Sequence, residues 1–402
     1  MNGAAIFEQL VTSQGRKDPY PIYAEAQKSG TVLPLGAGMV MAVGYDAVSA
    51  VLRNPAAHAV NSRTVQDPEY VKHSANLLLS SSIIQSEGVV HDFMRTAAAS
   101  AFTAVRLKKL RLLITSYTER LLDEMAEQGK GGAPVDFVAS FAARLPIMVI
   151  SHIMGIPKED AKHLSRMVHD SLASWEIIPL KEHIHTADKA ADQLLDYVQN
   201  LIVERRTQPS EDLTSRLVAA FDADGRFPED VLRSNIALLL TAGSLTTIDM
   251  LGNMMPQLLS SPDIFEKLRN GQIQAAPVVE EAARFDSSVQ ITVRTLRTET
   301  RVPKYDPLPA GTQVLAVIGA ANRDPARYSE PHRFDPFRKK RPLLTFGAGA
   351  HFCLGAQLAR IEGAIALDAI VRRFPHMALA GEPVGSGRLV LRGHQFLPVA
   401  VA

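Results

Sequence analysis

The sequence predicts a mainly α protein with a smaller β-rich region, and three features carry that expectation. Apolar residues recur at helical spacing through the middle third, most clearly over Leu107 to Glu127 and His183 to Arg206. Pro228 to Met255 reads as one long helix, with Pro228 tolerated in its first turn and Pro256 marking its end. Near the N-terminus, Thr31 to Pro34 and Met39 to Val43 flank Leu35-Gly-Ala-Gly38, the pattern of a β-hairpin.

Composition allows an ordinary globular chain. Its 402 residues are 46% hydrophobic with a net charge of +1, enough apolar material for a large core. Length alone suggests two or three domains. Neither repeats nor low-complexity tracts occur, and Gly129-Lys-Gly-Gly-Ala133 and Asp222-Ala-Asp-Gly225 read as surface loops rather than linkers. The N-terminus carries no apolar stretch long enough for a signal peptide or anchor, and runs such as Ile236 to Ala242 are too short to span a bilayer. Balanced charge and the lack of a recognised motif argue against a nucleic-acid partner.

The chemistry concentrates in Phe346 to Glu362, FGAGAHFCLGAQLARIE, which holds Cys353, the only cysteine. One thiol makes neither an internal disulfide nor a multi-thiolate metal site. It can be a nucleophile, fill core volume, or serve as the axial thiolate of a haem. A buried inert thiol leaves the surrounding spacing unexplained, and no cysteine-protease signature surrounds the position. Gly347, Gly349 and Gly355 let the backbone turn sharply and approach a flat cofactor. The helical run that follows places Cys353 just ahead of a helix N-terminus, where free N–H groups favour a thiolate. His351 is placed to reach a haem propionate, and Phe346 to shield the sulfur from water.

The spacing Phe346-Gly-x-Gly-x-His-x-Cys-x-Gly355 resembles the ligand loop of the cytochrome P-450 family of haem-thiolate monooxygenases. Glu281-Ala-Ala-Arg284 is similar to the family's Glu-x-x-Arg motif, and Arg333 in Pro331-His-Arg-Phe334 to the third member of its buried ionic network. Such a pair on a helix is uninformative alone; it counts because Cys353 follows at a family-like distance. His91 and Arg95 fit the His-x-x-x-Arg pair, and Arg294 a further propionate-binding arginine. With His351 these are expected to neutralise the two haem carboxylates. Asp18-Pro-Tyr-Pro-Ile-Tyr23, Ala101-Phe-Thr103, Ala321-Asn-Arg-Asp-Pro325 and Phe334-Asp335 extend the resemblance along nearly the whole chain.

The resemblance implies the cytochrome P-450 fold, in one continuous domain over residues 1–402, and haem b (iron protoporphyrin IX) as cofactor. It further implies electrons from NAD(P)H through separate redox partners, since no flavin or nicotinamide domain is visible. A ferredoxin or flavodoxin-like donor of acidic surface is expected at two basic clusters, Arg106, Lys108, Lys109 and Arg111, and Arg338-Lys-Lys-Arg341. Membrane-bound relatives carry an anchor that this sequence lacks, so a cytoplasmic enzyme with no membrane partner is expected.

Ala242-Gly-Ser-Leu-Thr-Thr247 resembles the family's oxygen-binding motif, in which Ala242 and Gly243 open a groove for dioxygen and the Thr246 hydroxyl organises it. For a threonine outside such a motif, back-bonding to a helix carbonyl is an equally good reading. The residue before this threonine is usually an acid that relays protons, and here it is Leu245. Three routes remain: a water chain held by Thr246 and Ser244, a polar group on the substrate, or a less usual oxidation such as coupling. Asp249, one turn on, reads as a structural hydrogen-bonding residue. By resemblance, the substrate pocket draws on Asn76 to Gln85, Leu172 to Ile178, Ala237 to Ala242, Val289 to Thr292 and His394 to Phe396. That lining suits a medium-to-large, mostly apolar small molecule. Ser287-Ser288 stands where relatives often have proline. The expected function is insertion of one oxygen atom from dioxygen into such a substrate, and the family resemblance suggests a role in secondary metabolism. Oxidative coupling or peroxide-driven oxidation is the enzymatic alternative, and a non-catalytic haem-thiolate sensor the alternative of another class.

Overall fold

The computed structural model describes residues 2–59, 72–178, 181–339 and 342–401. The chain runs β1 (Val32–Gly36), β2 (Met39–Ala42), α1 (Tyr45–Arg53), β3 (Ala57–Ala59), α2 (Gly88–Ala99), α3 (Ala104–Gln128), α4 (Leu145–Met154), α5 (Ala161–Asp170), α6 (Lys181–Thr207), α7 (Leu213–Asp224), α8 (Glu229–Leu259), α9 (Ala275–Phe285), β4 (Ile291–Leu296), β5 (Gln313–Val317) and α10 (Ala356–Arg373), among shorter elements. Two compact units emerge. The first holds Met1–Val60, Asp249–Cys353 and Met377–Val399; the second holds Asn61–Ile248, Leu354–His376 and Ala400–Ala402.

The first unit is built on a five-stranded sheet of order β1-β2-β5-β4-β3. The expected hairpin forms, with β1 reaching Gly36 and turning through Ala37-Gly38; Gly36 and Gly38 take positive φ at +90° and +74°, where glycine costs least. β2 then pairs in parallel with β5, Met39 opposite Gln313 to Ala42 opposite Ala316. β4 runs antiparallel to both β5 and β3. α1 presents Ala47, Val48, Val51 and Leu52 on one face, and these join Leu296, Val314, Ala316, Leu344 and Ala348 in one buried core. That core lies directly under the segment leading to Cys353.

The second unit is helical. α3 buries Leu107, Ile114, Leu121, Leu122 and Met125, a stripe at helical spacing. α10 packs on it, tied by the ion pairs Arg372–Glu119 and Arg373–Asp123. Gly129–Ala133 is an exposed turn, as expected, but Asp222–Asp224 is the last turn of α7, closed by Gly225 at φ +66°.

α8 belongs to both units and departs from expectation at its end. Pro256 does not stop it; the helix continues to Leu259, and the Pro256 carbonyl accepts from Ser260 N at 3.0 Å. The proline gives up only its own bond to the Gly252 carbonyl, close enough to the terminus for the last turn to persist. Among the described residues α8 is the one helix long and apolar enough to cross a membrane, and 72% of its apolar window is buried inside the protein.

Candidate active site

The Cys353 loop is set by its own backbone. Cys353 N donates to the Phe346 carbonyl at 2.8 Å, Gly347 N to Leu344 at 2.8 Å, and Phe352 N to Gly349 at 3.1 Å. Gly347 and Gly349 sit at φ +69° and +72°. At Gly349 a Cβ would lie 2.4 Å from the Leu52 carbonyl oxygen, so the loop rests against the end of α1 with no room for a side chain. Gly355 differs: its φ is −84°, and no atom lies within 4 Å of where its Cβ would be. The polypeptide itself does not demand glycine there, which fits a flat group passing beside it. Cys353 is exposed, three residues ahead of the first residue of α10.

The donor set fits haem. Among the described residues no three His, Cys, Asp or Glu side chains gather to hold a bare metal ion. Cys353 therefore offers one bond, and a metal that brings its own ring of ligands needs just one. Arg294 lies in the middle of β4, buried, with Nη1 donating to the Val293 carbonyl at 2.8 Å and Thr292 Oγ1 at 2.9 Å. His351 is half-buried in the short turn Gly349–His351. These belong to the first unit. In the second, His91 and Arg95 stand one turn apart on α2, His91 buried with Nδ1 3.0 Å from Asp92 Oδ1, and Arg95 half-buried.

The Glu-x-x-Arg pair forms as expected, but its third member does not. Arg284 and Glu281 are buried and joined by two bonds, Nε to Oε2 at 2.8 Å and Nη2 to Oε1 at 2.7 Å. The remaining Arg284 donors reach the carbonyls of Asn322, Pro331 and Arg333 at 2.9, 3.0 and 3.2 Å, so the guanidinium's whole hydrogen-bonding capacity is met. Arg333 thus contributes its backbone; its side chain is 65% exposed and reaches Glu330. The second cation on Glu281 is Arg338, at 3.4 Å, brought there by a turn in which Asp335 N also donates to Glu281 at 2.8 Å. Arg338 is therefore withdrawn from the basic surface cluster in which the sequence placed it, and Lys340 and Arg341 lie outside the described residues.

Sequence reasoning gave no role to Asn322, which clamps this region. Its Oδ1 accepts from Leu344 N at 2.8 Å, and its Nδ2 donates to Ser287 Oγ and Thr345 Oγ1, each at 2.8 Å. Thr345 Oγ1 in turn donates to the Ala283 carbonyl at 2.6 Å. The approach to the cysteine loop is thereby tied to α9, and Ser287 is a buried structural hydroxyl. Its position in Ala321-Asn-Arg-Asp-Pro325 was the only available signal.

On α8, Ala242, Gly243 and Thr246 share one half-buried face, while Ser244, Leu245 and Thr247 point into packing. The Thr246 hydroxyl donates to the Ala242 carbonyl at 3.2 Å, a long bond, and Ser244 Oγ donates to Leu240 at 2.6 Å in a fully buried position. Ser244 is thus committed to the helix rather than to a water chain. A Cβ on Gly243 would come within 2.9 Å of Ile150 Cδ1, so α4 packs against this helix where its backbone is barest. Asp249 is buried and ion-paired with Arg388 at 2.7 Å, the structural role expected of it. Of the substrate segments, Asn76–Gln85 is pinned to α8 by Ile83 N donating to Asn235 Oδ1 at 2.9 Å. His394 sits near Gly252, and burial pushes its imidazole below the usual range.

The cytochrome P450 family profile matches residues 16–384. The chain is 34% identical over 390 residues to the cytochrome P450 monooxygenase PikC of Streptomyces venezuelae, covering 95% of this chain and 91% of that protein. It is 32% identical over 397 residues to the 6-deoxyerythronolide B hydroxylase of Saccharopolyspora erythraea, covering 95% and 96%. Ligand-free CYP164A2 of Mycobacterium smegmatis has the same fold, with a TM-score of 0.89 at 31% identity over 99% of this chain and 100% of that one. Matched along nearly its whole length in sequence and in backbone, the chain belongs to the cytochrome P450 family and is a haem-iron monooxygenase.

Proposed function

We propose that Cys353 is the axial thiolate of haem b in a single domain spanning residues 1–402, and that the enzyme inserts one oxygen atom into a medium-to-large, mostly apolar molecule. The bound haem supplies the iron at which dioxygen is activated, and a thiolate ligand favours O–O cleavage. The observation that carries the reading is the chain's only thiol held in a loop whose turns the protein itself enforces through Gly347, Gly349 and the Cys353–Phe346 hydrogen bond. His91, Arg95, Arg294 and His351 bind the propionates through charge-assisted hydrogen bonds. Ala242 leaves room beside α8, while the bare face of Gly243 is taken up by Ile150, and Thr246, whose hydroxyl makes only a long bond to the Ala242 carbonyl, serves to organise oxygen. Glu281, Arg284 and Arg338 brace the cysteine loop from behind, with Arg333 contributing its carbonyl.

The carbon monoxide difference spectrum of the reduced protein tests the ligand. A strongly red-shifted Soret band is expected, and Cys353→Ser should lose it while retaining haem. A haem-loaded parent without that band, or a serine variant that keeps it, removes Cys353 from the role.

Electrons come from NAD(P)H through a ferredoxin or flavodoxin-like protein, with Lys108 and Arg111, both exposed, as part of its landing surface. A cytoplasmic location fits that supply. The hydroxylase name of one relative favours oxygen insertion as the reaction, in line with a role in secondary metabolism.

Leu245 supports a second reading, oxidative coupling or peroxide-driven oxidation, because a buried leucine stands where an acid would relay protons. Leu245→Glu separates the two. If the variant raises product formed per NADPH consumed, proton supply limits the parent; unchanged coupling and product mean the missing acid is no specialisation.

A further inference from the structure

A cleft of about 1560 Å³ opens in the second unit among α3, α4, α5 and the α6–α7 connection. It exceeds the roughly 300–1,000 Å³ of ordinary small-molecule sites, so it suits an extended ligand. None of its lining residues belongs to the segments expected to form the substrate pocket. Leu110, Ile147, Ile153 and Ile156 give it an apolar floor.

Its rim is cationic: Arg106 and Lys109 from α3, Lys158, Lys162 and Arg166 from α5 and the turn before it, and Arg216 from α7. Helical geometry selects Arg106 and Lys109 from the basic run of α3, since these lie three apart on the face that also carries Leu110. Among the described residues none of the six cations forms an ion pair, in a protein whose net charge is only +1. The lining acids do not compensate. Asp212 is committed to Arg205 Nε at 2.6 Å and to Ser215 N at 2.7 Å, which leaves only the exposed Glu211. Burial and the nearby Arg106 hold Arg216 below the usual guanidinium range, although Asp212 and Glu211 act in the opposite direction. Two lining atoms are also buried without a hydrogen-bond partner: Oγ of Ser151, a residue 3% exposed, and Nε of Arg216. Buried polar atoms are nearly always satisfied, so a pair of exceptions lining one cleft points to a ligand.

We propose that this cleft binds an organic anion, a carboxylate or phosphate head held by Arg106 and Arg216 with Ser151 as a further partner, and an apolar body on the isoleucine floor. Guanidinium groups bind such oxyanions with short, charge-assisted bonds, and the floor explains why a bare ion would not suffice.

Calorimetry on the haem-loaded protein tests this, with a tight-binding azole on the iron so that the substrate pocket is filled. Dodecyl phosphate, kept below micelle formation, is expected to bind one per chain, at least tenfold tighter than dodecanol or inorganic phosphate. Arg106→Gln/Arg216→Gln should weaken it at least tenfold while melting temperature and azole spectrum stay unchanged. If that variant does not fold, the exposed pair Lys109→Gln/Arg166→Gln should weaken binding severalfold. Dodecanoate in place of dodecyl phosphate distinguishes carboxylate from phosphate as the preferred head. Absence of saturable binding, equal affinity for dodecanol, or affinity that survives the folded variants overturns the proposal.

Discussion

Glu362 is 1% exposed on α10, and its Oε2 has no hydrogen-bond partner. Burial pushes its carboxyl from an ordinary 4.5 up to about 8. The folded protein therefore holds a proton that the unfolded chain has released. Stability from this group is complete below the unfolded value and is lost as pH rises through the folded one, by up to about 1.4 kcal/mol per pH unit between them. Glu362→Gln keeps the shape and removes the titration. It should match the parent near pH 4 and exceed it at pH 8 in urea unfolding; parallel pH profiles would assign the slope to another group. At this scale the sequence was legible where a residue's role follows from local geometry. Glu281 and Arg284 are i and i+3 on one helix, so their pairing was readable. Arg333 and Arg338 lie in a loop, where the turn through Asp335 decides which guanidinium points inward, and spacing carries no trace of that.

Helices proved easier to read than their ends. α3 and α6 differ from the expected Leu107–Glu127 and His183–Arg206 by a few residues, because their apolar stripes are unbroken. Pro256 misled at the end of α8, since a single missing hydrogen bond near a terminus is tolerated when the turn is buried. The same helix explains what Leu245→Glu should do to stability. Leu245 is 4% exposed, so an ionised carboxylate there would be stranded. The variant should lose roughly 3 kcal/mol and keep its new carboxyl protonated at neutral pH. A variant as stable as its parent would mean that water or a cation reaches the position.

Over the whole molecule, a net charge of +1 conceals a sorted surface. Basic residues that are neighbours in sequence are divided by helical geometry, Arg106 and Lys109 toward the cleft, Arg111 near Asp368 on α10. A donor steered by Lys108 and Arg111 should reduce the enzyme more slowly as salt rises, measured by stopped flow with an acidic ferredoxin; salt-independent rates would remove charge steering. The fold class was legible through motifs in chain order, yet the sheet was not. Nothing local says that β2 pairs with β5, because strand pattern announces strands and not their partners.

The clamp at Asn322 and the contact of Gly349 with Leu52 hold the cysteine loop through contacts the protein makes with itself. A loop held by such contacts would surrender little conformational freedom on ligating the iron proposed for it, which would leave most of that bond's free energy as affinity. On the proposed ligation, retention of haem would rest partly on the Asn322 amide, through its bonds to Leu344, Thr345 and Ser287.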